Sequence, residues 1–299
     1  MLAIAPDGSF TAAPDASTVI HRSRGAITEH RSLSARSIAV SPAHAAMLSD
    51  DGAISTLSHE RRHRWSIDAP PSSAPCAVSL CATHVFNGER LLSRSPRDGT
   101  ITAREPFTRD FFERFTRAEF IAPALLALCY ETGQPWSEFG SYGDRMKNVQ
   151  IYSVGPAFET AFYWWDTRRW DEDFEPTAFA YATPPRFAVY DEGALQIIEA
   201  RELRADSNGM PERTDDASEH WIYSPALSRI VWHPTALLVA GRADDGVSIF
   251  DPINERRARL AIHHNAFDFH GPFLRWLDLD SRSIAHAALT ELDWVGMYD

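Results

Sequence analysis

Residues 229–251, RIVWHPTALLVAGRADDGVSIFD, decide the fold of this chain. A first apolar run stops at His233-Pro234, because proline has no N–H to donate to a β-ladder. A second apolar run leads into Asp244-Asp245-Gly246, whose glycine can adopt the positive φ of a tight hairpin. Residues 247–251 then alternate apolar and polar side chains, which is typical of a strand with one buried face. The stretch therefore predicts short antiparallel strands that need similar neighbours to bury their apolar faces.

The same plan recurs along the chain, with an acidic-glycine turn before strands predicted at 53–57, 100–104, 194–199 and 247–251. The turn glycines, at 52, 99, 193 and 246, are separated by 47, 94 and 53 residues. A period of about 40–50 residues with four strands is typical of β-propeller blades. We therefore predict an all-β chain, a single propeller domain over residues 1–299, with the four strands occupying equivalent places in different blades. Seven four-stranded blades account for the whole length, and six is the alternative.

Two details of this prediction concern the middle and the end of the chain. Phenylalanines at 107, 111, 112 and 115 have a helical spacing, which predicts a short amphipathic helix inserted over residues 107–117. The last blade is predicted from strands at 267–270, 273–277 and 284–289, closed by a fourth strand at 294–298.

The segments ADDGVSIFD, SDDGAISTL and RDGTITARE (beginning at residues 243, 49 and 97) resemble the inner hairpin of WD-repeat (WD40-like) propellers. In that family an acidic-glycine turn precedes a strand that ends in an aromatic residue and Asp, here Phe250-Asp251. The Gly-His dipeptide that opens such repeats is absent from this chain. The resemblance implies a binding scaffold without chemistry of its own, although a fold does not settle a function.

The charge of the chain limits the kinds of partner that it can bind. The net charge is −12, and 28 of the 41 acidic residues follow residue 120, against 15 of the 29 basic residues. This acidity argues against nucleic acid or an anionic membrane and favours a basic protein. No run approaches the length of a membrane span, and the first residues lack the pattern of a secretory signal, so we expect none. Cys76, Cys81 and Cys129 have no metal-ligand spacing, so we expect reduced thiols, a cytoplasmic protein and no cofactor.

The most unusual segment is 158–174, FETAFYWWDTRRWDEDF, in which aromatic and acidic side chains are mixed. One interpretation is an outer strand and a loop whose aromatic residues are ordinary core. The other is an exposed protein-binding hot spot, because Trp, Tyr and Arg dominate such spots and carboxylates steer a basic partner. A polar loop at 204–219 is expected on the same face as this segment. The predicted binding residues are Tyr163, Trp164, Trp165, Asp166, Trp170, Asp171, Glu172, Asp173, Asp215 and Asp216.

The histidines do not predict a metal site. His263 and His264 are adjacent on a predicted strand, and adjacent residues point to opposite faces. His59 and His63 have the spacing of a zinc-protease motif, but the segment falls in a predicted hairpin rather than a helix. No nucleophile elbow, phosphate loop or dinucleotide fingerprint is present.

Together these features favour a non-catalytic protein-binding propeller whose acidic, aromatic face binds a basic partner. A bacterial immunity protein or an effector adaptor is one specific form. The alternative is a propeller hydrolase, lactonase- or glycosidase-like, with Asp, Glu and His residues in the central channel. A buried cluster of three or more such side chains at the channel mouth would favour the enzyme.

Overall fold

The computed structural model describes residues 1–105, 112–122, 124–133, 145–154, 159–166, 178–182, 186–191, 193–199, 204–205, 211–212, 218–224 and 226–297. Within these residues the chain consists of short β-strands and one 3₁₀ turn, Leu289–Glu291. The strands form antiparallel sheets that follow one another along the chain, each a meander of consecutive strands apart from one hairpin and one late strand described below.

The first three sheets have four strands each. The first contains β1 (Leu2–Ile4), β2 (Phe10–Ala12), β3 (Val19–Ser23) and β4 (Ala26–His30). The second contains β5 (Ala35–Val40), β6 (Ala45–Ser49), β7 (Ala53–Leu57) and β8 (Arg61–Ser66). The third contains β9 (Ala77–Val78), β10 (His84–Phe86), β11 (Leu91–Arg94) and β12 (Ile101–Arg104).

The remaining sheets are less uniform. The fourth contains β13 (Phe112–Ala122), β14 (Leu125–Gly133), β15 (Arg145–Ser153) and β16 (Glu159–Asp166). The fifth contains β17 (Ala178–Ala182), β18 (Arg186–Asp191), β19 (Ala194–Glu199) and β22 (Ser218–Tyr223), with a separate hairpin of β20 (Arg204–Ala205) and β21 (Pro211–Glu212). The sixth contains β23 (Arg229–Trp232), β24 (Val239–Ala243), β25 (Gly246–Asp251), β26 (Arg256–Leu260) and β30 (Val295–Gly296). The last contains β27 (Phe267–His270), β28 (Phe273–Asp278) and β29 (Ser283–Ala288).

The sheets stand around a central channel and close into a ring. First strands of neighbouring sheets contact each other from the second sheet to the fourth and from the fifth to the last, and β1 contacts β27, which brings the first and last sheets together. Clusters of buried apolar side chains fill the seams between sheets, for example between the third and fourth and between the fifth and sixth. At the closing seam these are Leu2, Phe10 and Ile20 from the first sheet, with Ala266 and Leu277 beside them. The prediction of an all-β single propeller is confirmed.

Six of the sheets have the four or more strands of a complete blade, so the structure shows the six-bladed alternative and not seven four-stranded blades. The last sheet has three strands, because the segment expected to complete it pairs elsewhere. Val295 of β30 lies opposite Arg257 of β26, on the outer side of the sixth sheet. Trp294 helps to hold β30 beside β26, since its ring lies 4.4 Å from the Arg256 guanidinium and its Nε1–H donates to the Leu289 carbonyl at 3.0 Å.

The helix predicted over residues 107–117 is wrong from residue 112 onward, where β13 is a strand of 11 residues. Its register against β14 shifts at three places, between residues 112 and 114, 115 and 117, and 120 and 122. Such a bulge interrupts the alternation of period two, so the spacing of Phe112 and Phe115 does not reveal the strand. Residues 107–111 lie outside the described part of the chain.

Three of the four strands predicted to be equivalent do occupy the same place. Ala53–Leu57, Ala194–Glu199 and residues 247–251 belong to the third strands of their sheets. The prediction for residues 100–104 is wrong, because β12 is the outermost strand of the third sheet. The turn containing Gly99 joins third and fourth strands there, whereas the turn containing Gly52 joins second and third.

The ring has two faces. Each sheet starts at the axis and runs outward, so the turns between second and third strands open on the same face as the connections between sheets. We call this the upper face, defined by residues 13–18, 50–52, 87–90, 244–245 and 279–282. The other turns form the lower face, where side chains join neighbouring sheets. His44 Nε2–H donates to the Leu80 carbonyl at 2.9 Å, and His233 Nε2–H donates to the Gly271 carbonyl at 2.8 Å.

Candidate functional site

Four of the predicted binding residues, Tyr163, Trp164, Trp165 and Asp166, belong to the backbone of β16, the outermost strand of the fourth sheet. They pair there with residues 147–150 of β15. Their side chains lie outside the description. The other predicted binding residues fall entirely outside the described residues, and the hot-spot hypothesis stays a prediction for Trp170, Asp171, Glu172, Asp173, Asp215 and Asp216.

The two segments that were expected on one face are described only in part. The second segment joins β19 to β22, the third and fourth strands of the fifth sheet, and its strand β21 contacts β16 of the fourth sheet. Residues 167–177, 206–210 and 213–217 lie outside the described residues. The expectation of a shared face therefore stays a prediction.

The upper face carries carboxylates in every turn between second and third strands that is fully described, in five sheets. The exposed members are Asp15, Asp50, Asp51, Glu89, Asp244, Asp245 and Asp280. Two of these turns, at 50–52 and 244–246, are recognisable from the sequence through their acidic-glycine pattern. The other three have different turn sequences, and only the placement of their sheets around one axis brings them together.

Part of this acidity has a structural role. Asp51 Oδ1 accepts the Ala53 N–H at 3.1 Å, and Asp15 Oδ1 accepts the Ser17 N–H at 2.7 Å. Hydrogen bonds from the hydroxyl and N–H of Ser281 and from the Asp280 N–H lower the pKa of the neighbouring Asp278. By contrast, Glu89, Asp244 and Asp280 accept no side-chain hydrogen bond within the described residues. These last carboxylates remain available for a partner.

The centre of the upper face opens into the channel through a cavity of about 210 Å³. Its cations are satisfied inside the protein. Arg36 donates to the carbonyls of Ser72, Pro71 and Ala74 and so holds the connection between the second and third sheets. Arg117 pairs with Glu119 at 3.3 Å. The mouth of this cavity is therefore polar, but the positive charges of Arg36 and Arg117 have partners inside the protein. The turns around the mouth carry the remaining negative charge.

Deeper in the channel, a cavity of about 400 Å³ is lined by Glu119, Arg229, Trp232 and Asp268. The Arg229 guanidinium donates to the Asn265 carbonyl and lies 5.1 Å from the centre of the Phe267 ring. Burial lowers the pKa of Arg229 and raises the pKa of Asp268. These residues are far apart in sequence and share no motif, so sequence reasoning missed them.

Two buried polar atoms near the channel, Asn265 Oδ1 and Trp232 Nε1, have no hydrogen-bond partner in the described structure. The carboxylates that line the channel cavity are Glu119 and Asp268. His233, the third residue there that could take part in catalysis, uses both ring nitrogens in hydrogen bonds to backbone groups of residues 235, 236 and 271. Across the described ranges, no three His, Cys, Asp or Glu side chains come together in a group that could hold a metal ion.

The histidines considered as metal ligands have structural roles. His264 Nε2–H donates to the Leu277 carbonyl at 2.7 Å, and its Nδ1 accepts the Ala266 N–H at 3.1 Å. His63 lies in β8, a strand, and His59 lies in the turn before it, so the pair shares no helix face. The three cysteines are free thiols, with Cys76 and Cys129 buried and Cys81 exposed. Burial raises the pKa of Cys129 to about 12.

No helix in the described ranges is long and apolar enough to cross a membrane. No known family model matches the chain, and no curated protein matches it. Among solved structures, the chain is similar to Kluyveromyces lactis Hsv2 with its loop 6CD complete, at 12% identity and a TM-score of 0.45, over 83% of this chain and 70% of that one. A second structure of Kluyveromyces lactis Hsv2 gives 11% identity and a TM-score of 0.42, over 83% and 71%. The propeller assignment rests on the strand order and the closed ring of sheets.

Proposed function

We propose that this chain is a non-catalytic protein-binding propeller that holds a basic partner on its upper face. One observation carries the proposal. All five fully described turns between second and third strands place an exposed carboxylate on the same face. The proposal includes the predicted aromatic and acidic segment around Trp170, which lies outside the described residues.

The electrostatics favour association with a basic surface. Carboxylates arranged around one face add their fields, which raises the rate of encounter with a cationic partner. The platform that presents them is preorganised, since His44 and His233 tie neighbouring sheets together on the opposite face. A rigid surface loses little conformational entropy when it binds.

The specific form that we favour is a neutralising partner, such as an immunity protein or effector adaptor that covers the basic face of a toxin. The WD-like pattern around Asp251 fits a scaffold of this kind. The Asp251 carboxylate is buried and accepts hydrogen bonds from Asn254 Nδ2 at 2.8 Å and Arg256 Nε at 2.9 Å, so it shapes a turn rather than a reaction centre.

The test compares two double variants with the same net charge. Asp244→Lys with Asp280→Lys reverses charge on the upper face, and Glu60→Lys with Glu291→Lys does so on the lower face. The full chain is used to capture proteins from its native host, and the association rate of the captured basic protein is measured at low and high salt. We expect the upper-face variant to associate about tenfold more slowly at low salt, with the difference shrinking at high salt, and the lower-face variant to match the wild type. Equal rates for the two variants, or capture of no basic protein, would refute the proposal.

Trp170 tests the aromatic part of the same face. If it is a hot spot, Trp170→Ala weakens binding of the captured partner by about 2–4 kcal/mol, mostly through faster dissociation, and leaves the melting temperature nearly unchanged. Asp171→Lys with Asp173→Lys should instead slow association in a salt-dependent way. If Trp170 is core, its truncation lowers stability by about 3–5 kcal/mol, and the charge reversals have no kinetic effect.

A further inference from the structure

The last sheet has an open edge where the six complete blades have a fourth strand. Its third strand, β29, pairs with β28 on one side over residues 283–288. The chain then turns away at Leu289–Glu291, and residues 295–296 pair with the sixth sheet. Within the described residues no strand pairs with the other side of β29. Its outward N–H and C=O groups are therefore available to another extended segment.

Length and composition together set β29 apart from the other outer strands. Its sequence, SIAHAA, has six residues and contains no Asp, Glu, Lys, Arg or Pro. Proteins protect sheet edges from unwanted pairing with charged residues, proline or very short edge strands. The outer strand of the sixth sheet, β30, has only two residues. The outer strands of the first five sheets each carry a charge: Glu29 in β4, Arg62 in β8, Arg104 in β12, Asp166 in β16 and Glu219 in β22. An edge without such protection, at the one incomplete sheet, is suited to pairing.

The side chains beside this edge indicate the charge of the incoming strand. Arg275 of β28 lies directly opposite His286 of β29, so both are on one side of the sheet. His286 is exposed, and its ring lies 5.3 Å from that of Phe273. Arg275 has no carboxylate within ion-pair distance in the described part of the chain. A residue added opposite His286 would have its Cβ about 5 Å from that of His286, within reach of the Arg275 side chain.

We propose that β29 accepts an extended segment of a partner protein as the fourth strand of the last blade, and that this segment carries an acidic residue facing His286 and Arg275. On the other side of the sheet, Ala285 and Ala287 leave room for β-branched side chains. Backbone pairing provides the affinity and the carboxylate sets the register, as in other cases of strand addition. This site lies at the outer edge of one sheet and does not depend on the upper-face carboxylates.

The test uses hydrogen exchange of the full chain with a capped ten-residue peptide that alternates Thr and Val around one central Glu. At about 1 mM, this peptide would saturate any site with a Kd below about 0.1 mM. We expect slower amide exchange in residues 283–288 and no change in residues 101–104. Replacing the peptide's Glu by Lys, or Arg275→Gln in the protein, should raise the half-saturating concentration by about threefold to tenfold.

Variants of the edge itself complete the test. Ala285→Lys or Ser283→Lys introduces the missing edge charge and should abolish protection, whereas Ala103→Lys on the already charged edge of β12 should leave it intact. Melting curves identify any variant that fails to fold, and either of the two edge variants suffices. The proposal is overturned by an absence of protection at about 1 mM peptide, by equal binding to Ala285→Lys, or by a preference for the Lys peptide. It is also overturned if residues 283–288 are already protected without peptide in a dimer, since a second copy would then cover the edge.

Discussion

At the scale of single residues, Gly246 shows how a turn residue is constrained by a distant strand. Its φ is +148°, and a Cβ built on it would lie 2.4 Å from the Leu260 carbonyl oxygen. Gly193 also has positive φ, +90°, but its Cβ would meet nothing within 4 Å. Both glycines follow acidic residues in similar hairpins, so the sequence alone does not distinguish them.

Gly246→Val should lower the free energy of unfolding by about 2–4 kcal/mol, because backbone strain and the close approach to Leu260 add together. Gly193→Ala, which adds strain without a clash, should cost about 1 kcal/mol. Denaturant unfolding of the two variants gives both values. Equal losses of unfolding free energy in the two variants would show that the contact with Leu260 is unimportant. A Gly246→Val variant as stable as the wild type would show that the assignment of this turn is wrong.

At the scale of elements, the C-terminal segment joins two blades. Leu289, Leu292 and Trp294 pack against the cluster between the sixth and last sheets, and β30 then extends the sixth sheet. The Met297 N–H donates to the Glu255 carbonyl at 2.9 Å, which holds the end of the segment on the turn before β26. Packing of Leu289, Leu292 and Trp294 and the Met297 hydrogen bond together hold this segment on the sixth sheet.

Trp294→Ala should release this segment and lower stability by about 1–3 kcal/mol, less than for a fully buried tryptophan because the ring is half-exposed. Amide exchange of residues 256–260 and 295–296 should accelerate together in hydrogen-exchange measurements. Trp294→Phe keeps most of the packing and should lose less stability than Trp294→Ala. Exchange in β26 that stays at the wild-type rate would mean that β30 is held by other contacts.

At the scale of the whole molecule, buried histidines make stability depend on pH. Burial lowers the pKa of His21, with His59 beside it as a second cause, and burial also lowers the pKa of His84 and His264. The unfolded chain therefore binds more protons than the folded one once the pH falls below about 6.5. Their contribution to stability is present above that pH and is lost as the pH falls towards the folded pKa values.

The melting temperature should accordingly fall between pH 7.5 and pH 5.5 at constant ionic strength, by about 2 °C for each kcal/mol lost. His264→Gln should be less stable than the wild type at pH 7.5, because it disturbs two backbone hydrogen bonds, and should show a smaller fall on acidification. Differential scanning calorimetry across this range measures both effects. A melting temperature that is flat or rises on acidification would contradict the assignment of these groups.

The sequence by itself determined the local elements. Strands such as Ala53–Leu57, Ala194–Glu199 and Phe267–His270 are predicted with the bounds that the structure shows, because alternation and turn residues act over a few positions. The regular recurrence of such units indicates a propeller before any contact is known. The acidic turns at 50–52 and 244–246 are visible in the same way.

Only the tertiary structure decided what depends on long-range pairing. In the structure, residues 101–104 form the outermost strand of their sheet, residues 112–122 form a strand with register shifts rather than a helix, and β30 pairs with the sixth sheet. It also brought Glu119, Arg229 and Asp268 into one channel and left β29 with an open edge. The physical reason is that a strand's hydrogen bonds can be satisfied by any compatible edge. Which edge it joins is decided by the packing of distant side chains, which no local pattern encodes.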